Sequence, residues 1–127
     1  MLIAEKMNLA GNSRYVILKH TTPKNVHFDF MLETGDHLST WRINIGPEEL
    51  KTTPAKAEKI FDHKLKFLTY QGPVNNGTGN VTTADKGTYS IISQTSEKLQ
   101  IQIDANILSG TYNLTKKSEN TWQITPQ

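Results

Sequence analysis

His20, His27 and Asp29 fall within ten residues of one another, and a further histidine, His63, follows in a lysine-rich stretch. In an extended strand, positions 27 and 29 project from one face about 6.6 to 6.8 Å apart, a spacing that suits two ligands of one cation. His20 would reach the same place from the end of a preceding strand. Two imidazoles and one carboxylate suit Mn, Zn, Fe or a similar divalent ion and leave coordination positions open for water or a substrate oxygen, as hydrolysis requires. The same HxD spacing also describes an ordinary polar strand face, and on spacing alone that is the simpler account. Asp62 precedes His63 and is placed to orient its ring, although an exposed neighbouring pair fits equally well. His37 reads as surface decoration.

Composition narrows the chemistry. The 127 residues contain no cysteine, which excludes disulfides, thiolate metal sites and cysteine nucleophiles and leaves His, Asp and Glu for coordination. Fourteen Lys+Arg against twelve Asp+Glu give a formal charge of +2, too small for binding dominated by phosphate neutralisation along a nucleic-acid track. Any nucleic-acid contact is therefore expected to be local, and Lys56, Lys59, Lys64 and Lys66 read as a solvated face. There is no GxGxxG, no GxxxxGK[ST] loop and no GxSxG elbow, so nucleotide-binding and serine-hydrolase chemistry lack support. No run approaches the ~18 apolar residues of a bilayer span, and Glu5, Lys6 and Asn8 interrupt any secretory h-region. A cytoplasmic, monomeric protein without membrane contact is the expectation.

The elements that would position these residues are strands. RYVILKH (14–20) is a β-branched and aromatic run ending in a TTPKN loop. VHFDFMLE (26–33) alternates strictly: Val26, Phe28, Phe30 and Leu32 share a core face, and His27, Asp29, Met31 and Glu33 share the other. A turn at 34–36 leads to a strand from 37 to about 45, broken by Gly46 and Pro47. Pro54 suggests a short helix over 54–59, a strand is expected over 64–70, and the Gly- and Asn-rich stretch 71–80 reads as a long loop. Short strands follow at about 80–84, 87–94, 97–103, 109–115 and 121–125. This spacing predicts one all-β, mainly antiparallel domain over 1–127, a small closed or partly open β-barrel with a short helix or two.

In order, RYVILKH, VHFDFMLE, TWRINIGP, DHKLKF with YQG, and DKGTY resemble the 3'-phosphoesterase domain of bacterial DNA ligase D across roughly residues 14 to 125. The corresponding family text is close to RFVVQKH, LHYDFRLE, SWAVPKGP, EDHPLDY with FEG, and DRGTY. The resemblance implies a small β-barrel whose crevice binds a divalent metal, manganese first and zinc or cobalt as alternatives, and removes 3'-terminal phosphate and ribonucleotide groups from DNA ends. Its metal ligands correspond to His20, His27 and Asp29, and its phosphate-contacting histidine to His63.

Two positions depart from the family pattern. The arginine two residues after the metal-binding aspartate is Met31, and the tyrosine four residues after the phosphate-contacting histidine is Phe67. Arg42, next to Trp41, and Tyr70 are the candidates to compensate. Two functions follow: a metal-dependent 3'-phosphoesterase acting on DNA or RNA/DNA 3' ends beside a repair ligase or polymerase, or a metal- or end-binding module that kept the barrel and lost turnover.

Overall fold

The computed structural model describes residues 13–127; the interrupted h-region at Glu5, Lys6 and Asn8 lies outside them. The strands are β1 (Ser13–Thr21), β2 (Val26–Thr34), β3 (His37–Ile43), β4 (Ala55–Lys64), β5 (Gly72–Val74), β6 (Gly79–Gln94), β7 (Lys98–Ala105), β8 (Ser109–Lys116) and β9 (Thr121–Pro126). One short helix, α1 (Pro47–Leu50), joins β3 to β4. Every pairing is antiparallel, in the order β1-β2-β3-β4-β9-β8-β7-β6-β5, and a further β1–β6 pairing closes a ring that leaves only β5 outside it. The all-β class is as expected from the sequence. Among the described residues no helix is long and apolar enough to cross a membrane.

The alternation seen in the sequence becomes two apolar layers. Tyr15, Phe30, Trp41, Ala55, Tyr89, Leu99, Tyr112 and Trp122, one from each ring strand, belong to a single buried cluster, which must therefore fill the ring. Edge-to-face contacts of Trp41 with Phe30 (6.3 Å) and Trp122 (5.6 Å) link β3 to β2 and to β9 inside it. The intervening residues Val16, Leu18, Met31 and Leu38 form a second cluster with Leu68 and Val81, outside the ring and beneath a 3₁₀ turn at Leu65–Leu68. RYVILKH is apolar almost throughout because β1 is covered on both faces.

Several expectations are corrected. The short helix is at Pro47–Leu50, where Pro47 opens the first turn; Ala55 to Lys64 is a strand, its Ala55 and Ala57 turned inward and paired with β9. The stretch expected as a strand over 64–70 is the 3₁₀ turn, whose Leu68 seals the outer layer. The expected 71–80 loop contains β5 and a second 3₁₀ turn at Asn75–Gly77. Val26, placed on the core face by alternation, is largely exposed at the start of β2.

The expected break near Asp85 does not occur, because β6 runs continuously through it with a shift in its register against β1. The buried Asp85 carboxylate accepts hydrogen bonds from the Tyr15 hydroxyl (3.0 Å) and from the backbone N–H groups of Ile107 (2.8 Å) and Leu108 (3.0 Å). It thereby ties β1 and β6 to the β7–β8 connection. Asp85→Ala leaves these donors without an acceptor and is expected to lower stability by roughly 3 kcal/mol or more, read from urea unfolding. Asp85→Asn, which keeps one acceptor oxygen, should lose less.

Candidate metal centre

The β1–β2 register pairs His20 with His27 and Leu18 with Asp29, and the β2–β3 register pairs Asp29 with Arg42. These positions share the outer face of the ring, beside the second apolar layer. The ligand atoms of His20, His27 and Asp29 all lie within 4.8 Å of one another. His20 Nδ1 stands 3.0 Å from His27 Nε2, which stands 3.6 Å from Asp29 Oδ1. Two ligand atoms about 2.0–2.2 Å from a common ion, at angles between octahedral and tetrahedral, are separated by about 2.8–3.6 Å, so both distances fit a shared cation.

The electrostatics agree with that fit. Asp29 is 4% exposed, and its Oδ1 has no hydrogen-bond partner among the described residues. Burial raises its pKa to about 6 although the nearby Arg42 charge opposes the shift. Burial, then the Arg42 charge, lowers both imidazoles, His27 to about 4. The cluster therefore joins two part-buried imidazoles held toward their neutral form to one buried carboxylate whose Oδ1 lacks a donor, a set that a divalent cation would suit.

His20 is held from behind. A Cβ at Gly79 would lie 2.7 Å from His20 Nε2, so only glycine lets β6 approach this closely. Because the atom in the way is the tip of a side chain, Gly79→Ala is expected to leave unfolding nearly unchanged while turning the imidazole away. Cation affinity should fall by about tenfold or more in a calorimetric titration.

Arg42 and His63 complete the cleft. Both line a cavity of about 210 Å³ together with Leu18, His20, Asp29 and Phe67. Arg42 Nε is 4.0 Å from Asp29 Oδ1 and makes no hydrogen bond among the described residues. His63 Nδ1 lies 3.0 Å from the Thr40 hydroxyl and 3.1 Å from the Phe61 carbonyl. A carbonyl can only accept, so the proton sits on Nδ1 and Nε2 is left to meet a ligand. Burial, the largest influence on His63, lowers its pKa.

Of the two readings left open for Asp62 and His63, the one in which Asp62 orients the ring is not the arrangement found. Asp62 instead lies 3.4 Å from His37 Nε2 and 3.8 Å from Lys59 Nζ, while His37 Nδ1 contacts Asp36 at 3.1 Å, so His37 belongs to a charged surface cluster. Thr40, which holds His63, was missed by sequence reasoning; its sole signal was its place two residues before Arg42. Met31 shares a strand face with Asp29 but is fully buried in the outer apolar layer. Phe67 meets His63 edge-on at 5.7 Å, and the Tyr70 hydroxyl is engaged by the Pro73 carbonyl.

Comparison with known proteins gives a consistent picture. The family profile of the DNA Ligase D 3'-phosphoesterase domain matches residues 18–116. The multifunctional non-homologous end joining protein LigD of Pseudomonas aeruginosa is 28% identical over 112 residues, covering 82% of this chain and 13% of that protein. The namesake from Mycobacterium bovis is 22% identical over 121 residues, covering 90% of this chain. The non-homologous end joining DNA repair protein LigD of Mycobacterium tuberculosis H37Rv is similar at the same level. This chain spans 13% to 16% of the length of these relatives.

Proposed function

Because the chain belongs to the DNA ligase D 3'-phosphoesterase domain family, we propose that it is a divalent-cation-dependent phosphoesterase acting on 3'-phosphate or ribonucleotide termini of DNA in end repair. The observation that carries this reading is that His20 and Asp29 of the His20, His27 and Asp29 cluster line one small cleft together with Arg42 and His63. At about 210 Å³ the cleft is smaller than the ~300–1,000 Å³ of sites that enclose whole small ligands. It suits a terminal group better than a complete nucleotide.

His20, His27 and Asp29 would hold the cation, manganese in the first instance with zinc or cobalt as alternatives. When bound, it supplies polarisation of a phosphoryl oxygen and activation of a water. The residues of the chain do the rest. Arg42, whose Nε makes no hydrogen bond among the described residues, offers its guanidinium to the phosphate, adding charge-assisted hydrogen bonds. His63, its Nδ1 fixed by Phe61 and Thr40, presents Nε2 toward the leaving 3'-oxygen. A phosphate in the cleft favours the imidazolium against the lowering by burial, so that Nε2 can give up a proton as the P–O bond breaks. Leu18, Phe67, Val74 and Val81 make most of the remaining lining apolar, beside Asn75, and strengthen these electrostatic interactions.

The test is phosphate release from a 3'-phosphorylated primer-template with Mn²⁺, Zn²⁺ or Co²⁺, against a chelator control. Metal-dependent release is expected, and none with any of the three would sink the hydrolytic assignment. The burial of Met31 and the missing hydroxyl of Phe67 favour one alternative, an end-binding module without turnover. It predicts metal-dependent binding of 3'-phosphate duplexes with no phosphate released. A repair ligase or polymerase that uses the resulting 3'-hydroxyl is the proposed functional partner.

A further inference from the structure

The exposed large apolar side chains among the described residues are Val26, Phe61 and Ile92, and of these only Phe61 lines the cleft. Phe61 is 72% exposed, an unusual position for a phenyl ring. The ring is also oriented. It lies nearly parallel to the His63 imidazole, with centroids 4.8 Å apart and the two planes inclined by 11°, so one face is covered and the other is open. The Phe61 carbonyl is the one that holds His63 Nδ1. Backbone and ring of one residue thus stand at the edge of the cleft that receives the terminal group.

We infer that Phe61 is a stacking platform for the nucleobase of the 3'-terminal nucleotide whose phosphate enters the cleft. The inference deepens the proposed function and rests on it. The cleft holds the phosphate but is too small for the base, so the base must lie outside, against whatever surface the rim provides. An open aromatic face is the surface that accepts any base, because each has a π face and none needs a matching hydrogen-bond pattern. Lys66 strengthens the same rim: its Nζ lies 5.3 Å from the centroid of Phe67, another cleft residue, where it can meet a neighbouring backbone phosphate. Terminal recognition would then depend on a base being present and little on which base it is.

The test compares wild-type, Phe61→Ala, Phe61→Leu and Phe61→Trp proteins in fluorescence-anisotropy binding to two 3'-phosphorylated oligonucleotides, one normal and one ending in an abasic analogue. Stacking predicts that Ala and Leu weaken binding to the normal end by about tenfold, that Trp restores it, and that all four proteins bind the abasic end alike and weakly. If Phe61→Ala binds the normal end as wild type does, or loses affinity equally for both ends, the platform is refuted while the phosphate cleft stands. If wild type binds neither oligonucleotide with Mn²⁺ present, the reading of the cleft fails and the platform with it.

Discussion

Asp29→Ala protein is expected to release at least about a thousandfold less phosphate than wild type from a 3'-phosphorylated end, the rate equivalent of the several kcal/mol of charge stabilisation that a bound cation supplies. Its effect on stability should run the other way. Without metal, the Asp29 Oδ1 atom is buried with no hydrogen-bond partner among the described residues. Removing such a group costs little, because relief of a desolvated oxygen offsets the lost attraction of Arg42 at 4.0 Å. At a cation concentration about 100 times the dissociation constant, wild type should gain about 2.7 kcal/mol. For a chain of this size that is roughly an 8–11 °C rise in melting temperature. Asp29→Ala should show no such rise. A scanning-calorimetry series with and without Mn²⁺ separates the two effects, and an equal rise in both proteins would remove Asp29 from the ligand set.

Arg42→Ala is expected to lower kcat by about 10²–10³, the usual loss when one preorganised donor to developing charge is removed. The chain contains two arginines, and Arg14 is occupied by Glu33 at 2.6 Å. Arg42 is therefore the guanidinium available to the cleft. Cation affinity should hold or rise, since a positive charge 4.0 Å from Asp29 disappears. Arg42→Lys keeps the charge and loses the fork, so intermediate activity is expected. Steady-state kinetics beside a Mn²⁺ titration distinguish the outcomes. Full activity in Arg42→Ala protein would exclude Arg42, and parallel loss of activity and metal binding would assign it to the metal centre instead.

These two substitutions bear on features of unequal visibility in the sequence. The proximity of His20, His27 and Asp29 was legible because HxD on an alternating strand places both groups on one face, and antiparallel pairing then sets His20 opposite His27. The face of Arg42 was legible too, but its approach to Asp29 depends on a register that no single strand encodes. His63 required more: it reaches the cleft through the register shift between Leu38 and Thr40 in the β3–β4 pairing, where Thr40 Oγ1 takes up its Nδ1. A shift of that kind leaves no periodic mark.

The errors in the fold have a related origin. Lys64 to Tyr70 carries strand-forming residues, yet its Leu65, Phe67 and Leu68 are needed as a cap over Met31 and Leu18, and tertiary packing overrides propensity. The gap expected between 84 and 87 is bridged by Asp85, whose carboxylate serves backbone donors more than twenty residues away, a use invisible to local sequence. The same packing explains Met31. A charged side chain there would be buried under Leu68, whereas Arg42 lies on the neighbouring strand opposite Asp29.

The most direct measurement is the stoichiometry of Mn²⁺ binding, followed by electron paramagnetic resonance of the free ion in wild-type, His20→Ala and Asp29→Ala proteins with and without a 3'-phosphorylated oligonucleotide. One tight site per chain in wild type is predicted, tightened by the oligonucleotide and lost in both variants. Binding that is absent from wild type, or that persists unchanged in the variants, would contradict a metal centre at His20, His27 and Asp29.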